Sequence, residues 1–420
     1  MDNGARHGIC SVMAERTARH DADVLIAGGG LVGQCLALGL AQCGLRAVIL
    51  DPAPADAADE RSYSLNVATV RMLGALGIWD EVADAAQPIL DIRVSDGRRG
   101  RGASPLHLHF DHAEIEEGPM GHMVEDRHLR PALAAALRQA GVARRAVAVR
   151  SQSPGPAAIA VETDDGTLTA PLLVGADGRG GGTAGRAGID RTVKRYGQTA
   201  LVAMLGIARD HGGTAHQVFL PPGPLALLPM TGRRVSIVWT EAEAEAGRVA
   251  ALPDDAFLDH LRPLVGDLYG TLELLGGRHA YPLSLVLADR FVAPRVALLG
   301  DSAHGVHPLA GQGLNAGMKD AAALAEVAAD AARRGEDIGG AAPLAAYQRW
   351  RRFDAASLAV ATDGLNRLFS NDSGVLRGIR RLGLGAAAHL PALRRAMIRE
   401  AAGLAGEVPR LMRGEDLAGP

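Results

Sequence analysis

One stretch, Ala22 to Asp51, constrains this chain more than any other. An apolar strand, Val24 to Ala27, runs into Gly28-Gly29-Gly30-Leu31-Val32-Gly33. A helical run from Gln34 to Gly44 then leads to a second apolar strand that ends at Asp51. G-x-G-x-x-G between a strand and a helix, with an acidic residue about 20 positions further on, is the pattern of a dinucleotide site. Gly28 permits the tight turn, Gly30 lets the backbone approach a pyrophosphate, and Gly33 lets the helix pack closely on the strand. Asp51 is placed to take the ribose hydroxyls of an adenosine.

A second stretch, Val296 to Asp320, has the same grammar. The strand Val296 to Leu299 breaks at Gly300-Asp301, crosses a loop holding Pro308, Gly311 and Gly313, and enters an alanine-rich helix from about Leu314. A Gly-rich turn feeding a helix N-terminus gathers backbone N–H groups and the positive end of a helix dipole at one point. Asp301 can accept hydrogen bonds from ligand hydroxyls there. Between the two stretches a third apolar strand, Leu172 to Val174, ends in Gly175-Ala176-Asp177-Gly178-Arg179. Three strand ends of this kind predict an open α/β sheet with its ligand beyond the carboxyl ends of the strands.

Other segments fill in the order of elements. Pro52 to Glu60 reads as a surface loop. Arg61-Ser62-Tyr63-Ser64-Leu65 is expected to open a helix carrying Val67, Val70, Leu73 and Leu76 at helical spacing. Arg61 at that entrance, and Arg127 at the start of the helix that carries Leu133 and Leu137, are candidate contacts for the dinucleotide. From about Thr192 to Tyr281 the pattern turns to period-two strands, a largely antiparallel domain inserted between the second and third motifs. The expected division is an extension over 1–20, a dinucleotide-binding domain over 21–190 and 282–340, a substrate domain over 191–281, and a helical region over 341–420. A substrate site is expected between the two domains.

Composition removes several classes of function. A net charge of −3 gives no electrostatic case for nucleic acid. The cysteines Cys10, Cys35 and Cys43 lack ligand spacing and suit a reducing compartment. His107, His109 and His112 raise a metal question, but no further ligand is fixed by spacing, so no metal is expected. No apolar run reaches the ~20 residues of a membrane-spanning helix. Residues 1–20 carry both charge signs without an apolar core and read as a disordered extension, not a signal peptide. From Arg377 to Arg413 arginines outnumber acids among Leu, Ala and Ile. That stretch suits either an anionic bilayer surface or a packing helix with a solvated basic face.

The three motifs in this order resemble the class A flavoprotein monooxygenases of the para-hydroxybenzoate-hydroxylase type. The run His307-Pro308-Leu309-Ala310-Gly311-Gln312-Gly313-Leu314-Asn315, with Gly317 and Asp320, resembles more narrowly the ubiquinone-biosynthesis hydroxylases. So do RSYSLNVATVRMLGALGIWD, GPLALLPM, TDGLNRLFS and AGLAGEVPRLMRG, so that the likeness covers the chain from Asp21 to Arg413. It implies an α/β fold: a Rossmann-like, GR2-type FAD-binding domain with an inserted, largely antiparallel β substrate domain and C-terminal helices.

Carried over by position, the resemblance puts Gly28, Gly30 and Gly33 at the FAD pyrophosphate and Asp51 at the ribose. Arg61, Arg127 and Asp301 would contact FAD, and Asp177 would lie near FAD and nicotinamide phosphates. The loop Pro308 to Asn315, with Gly311, Gln312, Gly313 and Leu314, would lie along the flavin ring. The implied reaction is hydroxylation of a polyprenylphenol of ubiquinone biosynthesis by O₂ through a flavin C4a-hydroperoxide, with NAD(P)H as electron donor. Other ubiquinone-biosynthesis proteins are implied partners, in the cytoplasm or at the periphery of the inner membrane. Two alternatives stay open: a hydroxylase of the same fold acting on a soluble aromatic, and a non-catalytic flavin-binding subunit. Pro308, Gly311 and Gln312 mark the reactive edge, and no protein base or nucleophile is assigned; His304 and His307 flank the loop. After Gly178-Arg179 the family commonly has a serine and soon an arginine. Here Gly180, Gly181, Gly182 and Thr183 intervene before Arg186, which bears on how a nicotinamide phosphate is handled.

Overall fold

The strand Val24–Ala27 is the centre of the molecule: all four residues are buried, and it has a parallel neighbour on each side. A parallel strand buried on both faces must be apolar throughout, which is how this one reads. Ala47–Leu50 lies on one side and Leu172–Gly175 on the other, and Val296–Leu298 pairs parallel to Leu172–Gly175. Ala143–Arg145 and the short antiparallel Val292–Ala293 close the two edges. This is a computed structural model, which describes residues 20–54, 59–98, 102–307, 311–369 and 390–418. Pro308 and the arginines Arg377, Arg380 and Arg381 lie outside them, as does nearly all of the 1–20 extension.

Backbone hydrogen bonds tie the three motif ends together in series. Ala176 N donates to Ala27 O at 2.7 Å, and Leu299 N donates to Gly175 O at 3.1 Å. The turn at Gly28, the Gly175–Arg179 turn and the Gly300-Asp301 turn therefore emerge side by side at one end of the sheet. The helices Leu31–Gln42 and Gln312–Arg333 leave from that end and share the main core with the sheet, the second through a face of buried alanines that includes Ala321, Ala322, Ala325 and Ala328.

The second large layer is an eight-stranded sheet. Its strands pair antiparallel except Thr214–Leu220 with Asp91–Arg98. It takes up Asp91–Arg98 and Gly102–Asp111, which precede the segment read as the substrate domain, and its strand Leu272–Ala288 runs on past residue 281. One face packs on the helices Glu243–Ala250 and Asp254–Val265 around Leu205, Ile237, Trp239 and Phe257. The opposite face carries Met204, Leu228 and Met230, which meet Ile89 and Met123 of a separate three-stranded sheet.

One local expectation fails. Ser62–Asn66 is a strand, paired antiparallel with Gly121–Glu125, and the helix begins only at Val67. Asn66 caps it, its side chain accepting from Thr69 N at 2.9 Å. The apolar spacing that signals a helix starts at Val67; upstream, Ser-Tyr-Ser-Leu alternates, and strand pairing wins. The C-terminal helix Ala341–Phe369 is fastened to the sheet by Tyr347, whose hydroxyl donates to Leu298 O at 2.8 Å.

Candidate active site

The joined strand ends open into a cleft of about 400 Å³, whose walls include Gly30, Gly33, Arg61, Ser64, Arg130, Arg179, Asp301, Val306, Gly311, Gly313 and Leu314. Two helices aim their N-termini at it. Neither Leu31–Gln42 nor Gln312–Arg333 has a side-chain cap or an acidic residue in its first turn. The positive dipole ends of both therefore face the cleft without an acidic side chain to offset them, an arrangement that favours an anionic or electron-rich ligand.

The glycines separate into scaffold and cradle. Gly28 has φ +111°, and a Cβ there would lie 2.3 Å from Ala176 O; a Cβ at Gly33 would lie 2.3 Å from Gly28 O. Both positions require glycine for the fold itself. Gly30 is different: a Cβ there would meet nothing within 4 Å. What glycine preserves at Gly30 is open space in the cleft. Gly311 combines φ +65° with a close approach to Ser64, bringing the second helix N-terminus against the strand Ser62–Asn66.

Of the charged candidates, Arg61 and Asp301 line the cleft. Arg61 Nε is held by Asp59 at 2.5 Å, and Asp301 accepts from Arg179 Nε at 2.8 Å. Asp51 sits at the first turn, accepting from Gly29 N and from Ala53 N. The other candidates face elsewhere. Arg127 is exposed, pairs with Glu125 at 2.9 Å, and lines a second cavity. It is Arg130, one helical turn on, that reaches the cleft, held by the fully buried Asp126 at 2.8 Å. Asp177 accepts from Thr183 N, Thr183 Oγ1 and Ser302 Oγ at 2.9, 2.7 and 2.9 Å, so it joins the second and third turns from behind. Asn315 accepts from Asn66 N and Thr69 Oγ1 and donates to Ser64 O and Gly311 O, at 2.8 to 3.1 Å. Its side chain staples the loop helix to the neighbouring elements.

Beneath the loop lies a buried charge cluster. Asp320 accepts from His304 Nε2 at 2.5 Å, Arg351 Nε at 2.8 Å and Gly300 N at 2.9 Å. Burial opposes the carboxylate, but His304 and Arg351 prevail and hold its pKa below the usual value. Gln312 begins the helix above. His307 is fully buried, and among the described residues neither ring nitrogen has a hydrogen-bond partner.

Sequence reading overlooked Arg130 and Arg179. Arg179 was visible as the last residue of the Gly175–Arg179 turn; Arg130 could have been found from its spacing of three from Arg127 on one helix. The second cavity, about 410 Å³, shares Arg61 with the cleft and adds Glu125, Arg127, Met204, Arg234, Ser236 and His279. For the metal question, His109 Nε2 lies 2.5 Å from Asp91 and His112 Nδ1 3.0 Å from Leu90 O. Among the described residues no cluster of three His, Cys, Asp or Glu side chains is arranged for a metal.

Comparison with known proteins agrees with this geometry. A family model described as an FAD binding domain matches residues 21–360. The ubiquinone hydroxylase UbiL of Rhodospirillum rubrum is 44% identical over 409 residues, covering 94% of each chain. The 3-demethoxyubiquinol 3-hydroxylase of Escherichia coli K12 is 32% identical over 398 residues, covering 91% of this chain and 98% of its own. Among solved structures, the p-nitrophenol 4-monooxygenase PnpA of Pseudomonas putida DLL-E4 superimposes with a TM-score of 0.77 at 21% identity, over 92% of this chain and 98% of that one. That last likeness concerns the fold alone.

Proposed function

The chain belongs to the FAD-binding-domain flavoproteins that include the ubiquinone hydroxylases, and on that premise we propose that it hydroxylates the ring of a polyprenylphenol in ubiquinone biosynthesis. The observation that carries this reading is the convergence of two uncapped helix N-termini on one cleft, with open space over Gly30. FAD suits that cleft from end to end. Asp51 and the first turn take the adenosine end, Gly30 and the first N-terminus the pyrophosphate, and Arg61, Arg130 and Asp301 the middle. The turn from Gly311 to Leu314 takes the ring edge.

When bound, FAD supplies the activation of O₂ that transfers one oxygen atom to an electron-rich ring. The chain's own residues bind and orient. Asn315 and the Asp320 cluster hold the loop helix in register, so its N-terminal turn would be in place to hold the ring edge of bound FAD without reorganisation. The eight-stranded sheet contributes an apolar face, with Met204 and Leu228, across from the first domain, and this excludes water from the reacting ring. For the reductant we propose NAD(P)H, in keeping with the second cavity, where Arg127, Arg234 and His279 adjoin Arg61. Asp177 serves the scaffold in this arrangement.

Among the described residues no helix is long and apolar enough to cross a membrane. A prenylated substrate resides in a bilayer, and the reading includes peripheral contact with one. Phe353 and Val360 on one side of the helix Ala341–Phe369 are 76% and 74% exposed, a pairing that supports it.

The test is quinone-intermediate profiling by mass spectrometry in producing cells that lack the protein. An under-hydroxylated polyprenylphenol should accumulate and be cleared by wild type but not by Gly30→Val. An unchanged profile would turn the assignment to a soluble aromatic. Purified protein that holds FAD yet yields no hydroxylated product would mark a non-catalytic subunit.

A further inference from the structure

His307 stands between two residues that line the cleft, Val306 just before it and Gly311 after the loop. Its ring is fully buried and meets the Tyr196 ring edge-on, centroids 5.2 Å apart at 76°. The contact is ring against ring, and among the described residues neither imidazole nitrogen has a hydrogen-bond partner. A buried polar group left unpaired destabilises the fold, because it has given up its hydrogen bonds to water for nothing. A leucine or phenylalanine would fill the same space without that cost, so packing alone does not account for an imidazole here.

The strand across from it is also irregular. Arg191–Ile207 pairs regularly with Leu272–Ala288 up to Arg195 and resumes at Thr199, with a bulge between that includes Tyr196 and Gly197. Bulges re-aim side chains and concentrate beside active sites, and this one presents Tyr196 to His307. The surrounding charges are Arg179 from the second turn, Asp363 from the helix Ala341–Phe369, and Lys194 and Arg367, which pair with Asp363. Burial and Arg179 lower the His307 pKa to about 4 against a smaller opposing pull from Asp363. The ring is therefore neutral at pH 7, with one N–H to donate and one nitrogen to accept.

We propose that His307 is the hydrogen-bond partner of the substrate's phenol hydroxyl, fixing the ring against the flavin loop. This rests on the hydroxylase reading above. A phenol hydroxyl both donates and accepts, which matches what a neutral imidazole leaves open. Asp320 and Arg351 already engage the carboxylate–guanidinium pairing beneath the loop, and Asp301 and Arg179 pair with each other. Beside the loop, His307 is the histidine with both ring nitrogens unused among the described residues, whereas His304 has Nε2 on Asp320 and only Nδ1 unused.

The experiment titrates 2-prenylphenol into FAD-loaded wild type, His307→Phe and His307→Gln, following the flavin spectrum, and then measures peroxide against hydroxylated product during turnover. FAD content of each variant reports on folding. Expected are wild-type FAD content throughout and a roughly tenfold or greater rise in Kd for His307→Phe, equivalent to ~1.4 kcal/mol. Peroxide should rise at the expense of product in that variant, with partial recovery in His307→Gln. Unchanged Kd and unchanged coupling in His307→Phe would overturn the proposal and leave the imidazole to a buried water. Wild type that holds FAD but neither binds nor hydroxylates 2-prenylphenol would overturn the phenol reading, and the role of His307 with it.

Discussion

His304 Nε2 lies 2.5 Å from Asp320 Oδ2 in a site where both side chains are fully buried, and Arg351 Nε closes the carboxylate's other oxygen at 2.8 Å. Asp320 also receives Gly300 N, so this cluster joins the third strand end, the loop helix and the long C-terminal helix. A buried ion pair is weak evidence of net stabilisation, yet removing one partner strands the rest. Asp320→Asn is expected to cost about 3–5 kcal/mol, read as a lower urea midpoint, and to loosen FAD.

The same carboxylate sets a pH dependence. Its folded pKa lies below the ordinary 3.8. Its contribution is therefore full above that ordinary value and is lost as pH falls through the lower folded one. Stability attributable to Asp320 should be flat from neutral pH to about 4 and fall below it. In urea titrations over pH 2.5 to 7, Asp320→Asn should lack that part of the acid loss.

Glycine substitutions should divide folding from binding. Gly30→Ala or Gly30→Val adds atoms to open space, so unfolding midpoints should stay close to wild type while FAD content drops at least about tenfold, or ~1.4 kcal/mol. Gly28→Ala meets the Ala176 carbonyl and strains φ, and should destabilise the apoprotein by about 1–3 kcal/mol or more. Equal apoprotein stability in the two substitutions would contradict the division of scaffold from cradle.

The two arginines of the helix Asp126–Gln139 should behave differently. Arg127→Ala, at an exposed pair, should keep FAD within about twofold and little changed stability, with its effect confined to the KM for the electron donor. Arg130→Ala leaves the buried Asp126 without its guanidinium and should cost about 3 kcal/mol, with FAD lost alongside. Fluorescence titration of FAD against both apoproteins distinguishes them.

Thiol chemistry checks the packing of the first helix. Burial raises the Cys35 thiol to about 12 and Cys43 to about 11. At pH 8 both are protonated and poor nucleophiles. Mass-spectrometric mapping after iodoacetamide at that pH should find both unmodified until denaturant is added.

Much of the site was written in local pattern. Strand, glycine turn and helix announce themselves over a few residues, because backbone geometry and side-chain period are local properties. The three turns were therefore legible, and with them Arg61 and Asp301 at the wall of the cleft. The strand at Ser62–Asn66 was not, since alternation over so few residues is a weak local signal and the partner that settles it lies about 60 residues away.

What the sequence by itself determined is the chemistry on offer: an α/β dinucleotide fold, its glycine turns, and a family of flavin hydroxylases. Tertiary structure decided which side chains face the cleft. It turned Arg127 away and Arg130 in, drew Asp177 and Asn315 into the scaffold, gathered His304, Asp320 and Arg351 into one cluster, and left His307 without a hydrogen-bond partner among the described residues. The physical reason is the range of the forces. Turn geometry and amphipathic period act between near neighbours in the chain, whereas a buried hydrogen bond or ion pair is settled only when distant segments meet and each polar group must find a partner or go without.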